Sequence, residues 1–240
     1  INVGAGTYTV TVTNASGCTA AATTVISTMA APTAAIAGAN SVCSGSTTSV
    51  TASSGVGYSW DSGQNTANIN IGAGTYTVTV TDINGCTGTT IRNLTVNANP
   101  VPNITTLDST ICIGTTTILN GGTAPGGYTY LWSQGAATTQ TITVGTAGNY
   151  TVTVTNAAGC TASDVIAVVV NALPVPVITG DNSICAGFST TLDAGTAAGG
   201  YTYLWSQGAA STQTINASIA GTYTVTVTNI NGCTNTDDIV

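Results

Sequence analysis

Seven cysteines are the residues in this 240-residue chain best placed to do covalent chemistry, and they recur at fixed positions. Four close a repeated cassette: Cys18, Cys86, Cys160 and Cys233 end GTYTVTVTNASGC, GTYTVTVTDINGC, GNYTVTVTNAAGC and GTYTVTVTNINGC. Three fall earlier in their repeats, in SVCSG, TICIG and SICAG (Cys43, Cys112 and Cys185). Two regularly placed cysteines in a small unit form a disulfide framework, which persists only in an oxidising compartment. The count is odd because the first repeat begins after the place of its early cysteine. Metal ligation is the rival chemistry. It finds little support in a chain with no histidine and no CxxC pair.

Other chemistries are poorly supplied. One arginine is the only basic side chain; lysine, histidine and glutamate are missing, and eight aspartates give a net charge of −7. General acid–base catalysis lacks an imidazole or ammonium group, so the chain reads as no enzyme. Phosphate neutralisation needs clustered Lys or Arg, so nucleic acid is no partner. The longest apolar run, VIAVVV at 165–170, is strand-sized rather than membrane-spanning, and no membrane insertion is expected of this segment. Asp237–Asp238 and Asp181–Asn182 are the carboxylate candidates for calcium. Their equivalents in other repeats read as non-acidic, so no regular cation site or other cofactor is expected.

The cysteines must be positioned by the repeat itself. The cassette recurs after 68, 74 and 73 residues, which marks a tandem array of small domains. Proline spacing divides it into a C-terminal half-domain (1–31), two complete domains (32–99 and 100–173) and a domain lacking the end of its last strand (174–240). Tyrosine and two valines alternate with threonine in each cassette, the period-2 pattern of a strand with one face buried. Within 174–240, PVPVI, STTLDA, YTYLWS, STQTINAS, the cassette and TNTDDIV read as strands, with SICAG and TAAGG as turns. The fold class is therefore all-β, a tandem array of sandwiches of roughly 70 residues each, a size at which the core alone is marginal. Trp60, Trp132 and Trp205, with Tyr58, Tyr130 and Tyr203 two residues before them, are core candidates, as are Tyr76, Tyr150 and Tyr223 of the cassettes.

Y-x-W followed by G-x-Y-T-V-T-V-T-N-x-x-G resembles the PKD and bacterial immunoglobulin-like (Ig-like) domains. The added C-x-G and G-C pair resembles the Ig-like repeats of very large Bacteroidota surface proteins, including gliding adhesins and type IX secretion cargo. PKD domains usually carry a Phe-Gly-Asp-Gly turn after the tryptophan. Here that place holds DSGQ (61–64) or SQGA (133–136 and 206–209), so nothing is carried over from that turn.

An Ig-type topology implies a cysteine pairing. Its second and sixth strands run parallel, so the turn before one and the turn after the other lie at opposite ends of a domain, on the order of 25 Å apart. A disulfide spans at most ~7 Å between Cα atoms. In a head-to-tail array the early cysteine of one domain instead meets the cassette cysteine of the next. The expectation is Cys43–Cys160 and Cys112–Cys233, with Cys18, Cys86 and Cys185 pairing to domains outside these residues. Bridges within domains (Cys43–Cys86, Cys112–Cys160 and Cys185–Cys233) are the alternative.

The function these features imply is structural: a repeat segment of a large extracellular or cell-surface bacterial protein, an adhesin stalk or fibre stiffened by disulfides. Its partners would be neighbouring repeats of the same chain, other copies associating laterally or end to end, and surface glycans. Two alternatives belong to other classes. A glycan- or ice-binding module would expose its tryptophans or its threonine rows, and a non-catalytic spacer of a secreted hydrolase would be declared only by sequence elsewhere.

Overall fold

The computed structural model describes residues 1–122, 126–195 and 199–240, so Thr196–Ala198 of the TAAGG turn lie outside the described residues. Strands are the only regular elements among those described. β-Branched and aromatic residues at alternate positions favour the pleated ladder, and glycine-containing turns separate the runs. The chain divides into two compact units, Ile1–Asn99 and Pro100–Val240.

The first unit opens with a hairpin, β1 (Gly6–Thr13) paired antiparallel with β2 (Thr19–Ile26). A sandwich follows, formed by β3 (Ile36–Gly38), β4 (Ser41–Cys43), β5 (Thr48–Ala52), β6 (Gly57–Trp60), β7 (Asn68–Ile71), β8 (Gly74–Thr81) and β9 (Thr87–Asn97). One sheet has the order β3-β5-β7 and the other β4-β9-β8-β6. Between them Val50, Trp60, Ile69, Ile71, Val78, Val80 and Leu94 form the core.

The second unit holds two such arrangements. In the first, β10 (Thr110–Cys112), β15 (Thr161–Asn171), β14 (Gly148–Thr155) and β12 (Thr129–Trp132) make one sheet, and β11 (Thr117–Asn120) with β13 (Thr141–Val144) the other. Its core gathers Ile111, Leu119, Trp132, Tyr150, Val152, Val154 and Val168. In the second, β17 (Thr202–Trp205), β19 (Tyr223–Thr228) and β20 (Thr234–Ile239) face β16 (Thr190–Asp193) and β18 (Thr214–Ala217). Leu192, Trp205, Tyr223, Val225 and Val227 fill this core.

All three tryptophans are buried, and each indole nitrogen donates to a backbone carbonyl, that of Thr66, Thr139 or Thr212. Tyr150 and Tyr223 are buried too, with hydroxyls that donate to the carbonyl four residues upstream, Thr146 at 2.9 Å and Ile219 at 2.9 Å. Tyr76 is half-buried against its core, as are Tyr58, Tyr130 and Tyr203.

Three sequence expectations need correction. SVC and TIC, to which the sequence reading assigns no strand, are extended. They are three-residue strands, β4 and β10, added parallel to β9 and β15. The same residues in the last repeat, Ser183–Cys185, form no strand, and Ile184 is 38% exposed where Ile111 is 7%. PVPVI is not a strand either. Its prolines carry no ladder donor, and the segment is held by a bridge between Thr179 and Asp193 and by Asp237, whose carboxylate accepts the Ile178 amide at 2.7 Å. Asp164 does the same for Ile104 at 2.7 Å. Asp164 also overturns the reading that no equivalent of Asp237 is acidic. These carboxylates serve backbone amides, and among the described residues no cluster of three His, Cys, Asp or Glu is placed to hold a metal.

Candidate functional site, a disulfide-bonded joint

The most elaborate polar and covalent arrangement lies in the second unit, where the chain passes from one sandwich to the next. Parallel pairing places Cys112 beside Asn171, at the end of β15 from which the linker departs. Cys160 stands at the start of that strand. Eleven residues of β structure, at ~3.3 Å each, hold the two levels roughly 35 Å apart. A bridge between Cys112 and Cys160 is therefore closed off by the strand itself.

Cys112 instead bonds to Cys233, with Cα atoms 5.6 Å apart and a sequence separation of 121. Cys233 sits in the β19–β20 turn, where Asn229 Oδ1 accepts the amides of Asn231 (3.0 Å) and Cys233 (3.0 Å). Gly232 takes the left-handed conformation (φ 77°) that closes this turn. The motif N/D-x-x-G-C thus presents its cysteine by a local hydrogen-bond pattern, repeated at Asn14, Asp82 and Asn156.

The linker is gripped from the same side. Asn229 Nδ2 donates to the Ala172 carbonyl at 2.9 Å, and Asn235 Nδ2 donates to the Pro174 carbonyl at 3.0 Å. Beside the disulfide lies a cleft of about 650 Å³, lined by Asp108, Ile111, Thr115, Thr117, Asn231 and Gly232 among others. Five threonines, Thr110, Thr115, Thr116, Thr117 and Thr143, form much of its wall. Asn171 Nδ2, buried at this joint, has no hydrogen-bond partner among the described residues; its counterpart Asn97 donates to Ser41 Oγ at 2.9 Å.

The other cysteines sort into two groups. Cys43 and Cys160 are disulfide-bonded, whereas Cys18, Cys86 and Cys185 are free. The within-domain set of Cys43–Cys86, Cys112–Cys160 and Cys185–Cys233 is thus not formed in this structure.

Sequence reasoning missed two residue types. Arg92, the sole basic side chain, donates to the carbonyls of Ile36, Gly38 and Ala39 and to Asn40 Oδ1, closing one end of its sandwich with no carboxylate partner among the described residues. Asn229 and Asn235, read only as turn and strand residues, reach across to the linker. The asparagine at the place of Asn229 recurs as Asn14 and Asn156, the only available signal, whereas the place of Asn235 holds Ala20, Gly88 and Ala162 in the other repeats.

No protein-family model and no curated protein matches the chain in sequence. Solved structures of similar architecture include the N-terminal eight Ig domains of Down Syndrome Cell Adhesion Molecule isoform 1.30.30. That match has 16% identity and a TM-score of 0.42, and covers 98% of this chain and 40% of that one. A structure of a 1.5-MDa bacterial ice-binding adhesin, described for its host cell surface retention, is similar at 14% identity and a TM-score of 0.36 over 87% of this chain and 97% of that one. Murine CEACAM1b gives 10% identity and a TM-score of 0.29, covering 56% and 96%. The chain spans less than half the length of the first of these, 40%.

Proposed function

We propose that this chain is a structural segment of a large extracellular bacterial protein, a surface stalk or fibre whose joints are stiffened covalently. The observation that carries this reading is the Cys112–Cys233 bond, which ties one sandwich to the next rather than stapling a single core. Moved back by one repeat, the same pattern pairs Cys43 with Cys160, both of which are oxidised. Moved further, it assigns Cys18, Cys86 and Cys185 to neighbouring repeats beyond these residues. Disulfides of this kind require an oxidising, extracytoplasmic location.

The surface fits the same role. Arg92 is the only trypsin-type site, and its guanidinium is engaged by four acceptors. The outer face of β12, β14 and β15 carries Leu131, Thr151, Thr153, Ser163 and Val165 with no charged side chain among them. A surface so poor in charge lacks the repulsion that keeps chains apart, so lateral association of copies belongs to the proposal. An aromatic sugar platform built on the tryptophans does not, since all three are buried.

Small-angle X-ray scattering of the oxidised and reduced chain tests the stiffening. Reduction is expected to broaden the pair-distance distribution while circular dichroism of the sandwiches is unchanged. Superimposable scattering curves would show that the bond contributes nothing to rigidity.

A further inference from the structure

Asn229 uses both ends of its amide. Oδ1 organises the turn that presents Cys233, accepting the amides of Asn231 and Cys233, and Nδ2 donates to the Ala172 carbonyl in the linker at 2.9 Å. The first role needs only an acceptor; the second needs a donor. Asp82 shows the two separated. It occupies the cassette position of Asn229 in the 32–99 sandwich, and its Oδ1 accepts the amides of Asn84 (2.9 Å) and Cys86 (2.8 Å), reproducing the turn. An ionised carboxylate has no proton to give to a linker carbonyl.

The linkers nevertheless take the same path in both places. Asn235 reaches the Pro174 carbonyl from the position that pairs with Val227. The matching position in the earlier sandwich is Gly88, paired with Val80, where an added Cβ would lie 2.0 Å from the Pro32 carbonyl oxygen. Both prolines therefore pass over the same point of the last strand. Ala30 precedes Pro32 by the same step as Ala172 precedes Pro174, so its carbonyl is the one residue 82 would meet.

We infer that the residue four places before each cassette cysteine sets the stiffness of the joint preceding its domain. Asparagine locks the linker and aspartate leaves it loose. Asn229 acts as a positioning residue for the linker, and the joint at 28–32 is the hinge of this segment. Asn14 and Asn156 carry the locking residue type. This inference is independent of the stalk reading, because it concerns one local hydrogen bond whatever the chain is for.

The test is ¹⁵N relaxation on the full, oxidised 240-residue chain as wild type, N229D and D82N. Backbone order parameters at Ala172 and Leu173 are expected near about 0.85 in the wild type and to fall towards about 0.6 in N229D. Those at Ala30 and Ala31 should start low and rise in D82N. The Asn231 and Cys233 amides should stay protected from exchange in N229D, since Asp82 supports the same turn. Unchanged linker order in N229D overturns the inference, as does loss of protection at Asn231 and Cys233, which would place the effect in the turn. An unchanged hinge in D82N overturns the claim that this residue sets the joint.

Discussion

The octapeptide GTYTVTVT occurs identically at Gly6–Thr13 and Gly74–Thr81, once in a two-stranded hairpin and once in a four-stranded sheet of a sandwich. Both pair over eight residues with the strand that follows. Yet Val10 and Val12 are 60% and 64% exposed, while Val78 and Val80 are 0% exposed. The ladder is thus a local property of alternating β-branched residues and a tight turn. The core is not local: it needs the facing sheet and the tryptophan strand, which β8 has in β5, β7 and β6 and β1 lacks in this structure.

Truncating matched valines separates the two copies most strongly. Val78→Ala removes methyl groups from a filled core and is expected to cost its domain about 2 kcal/mol. Val10→Ala should change stability by less than about 0.5 kcal/mol. Differential scanning calorimetry of the two variants reads the contrast, and equal effects would mean that the hairpin carries a hidden core.

The tyrosine hydroxyls differ by less. The Tyr150 hydroxyl donates to Thr146 from a buried position, and the Tyr8 hydroxyl donates to Gly4 at 3.0 Å from an exposed one. Tyr150→Phe should cost about 1 kcal/mol and Tyr8→Phe close to nothing, because water replaces the exposed bond. Denaturant melts of the two variants measure the difference.

These contrasts also show what the sequence could carry. Period-2 alternation in the cassettes and the regular Y-x-W pairs mark the buried face wherever a partner sheet exists, and Trp60, Trp132 and Trp205 lie where that pattern places them. The short strands Ser41–Cys43 and Thr110–Cys112 were illegible, being too brief for alternation and paired in parallel with residues more than fifty positions away. Proline-rich Pro174–Ile178 looked like an edge strand, but a carboxylate from Asp237 substitutes for the ladder its prolines forbid. The asparagine at the place of Asn229 does recur, as Asn14 and Asn156, but the turn alone would choose it, so its Nδ2 bond to the linker leaves no separate trace.

Disulfides in this array are proposed to join consecutive sandwiches, as Cys112–Cys233 does. A non-reducing peptide map of the native, unmodified chain, cut with a protease other than trypsin, tests this most directly. The account predicts linked peptides containing Cys112 with Cys233 and Cys43 with Cys160. Peptides joining Cys43 to Cys86 and Cys112 to Cys160 would contradict it, leaving each domain stapled to itself and its joints free.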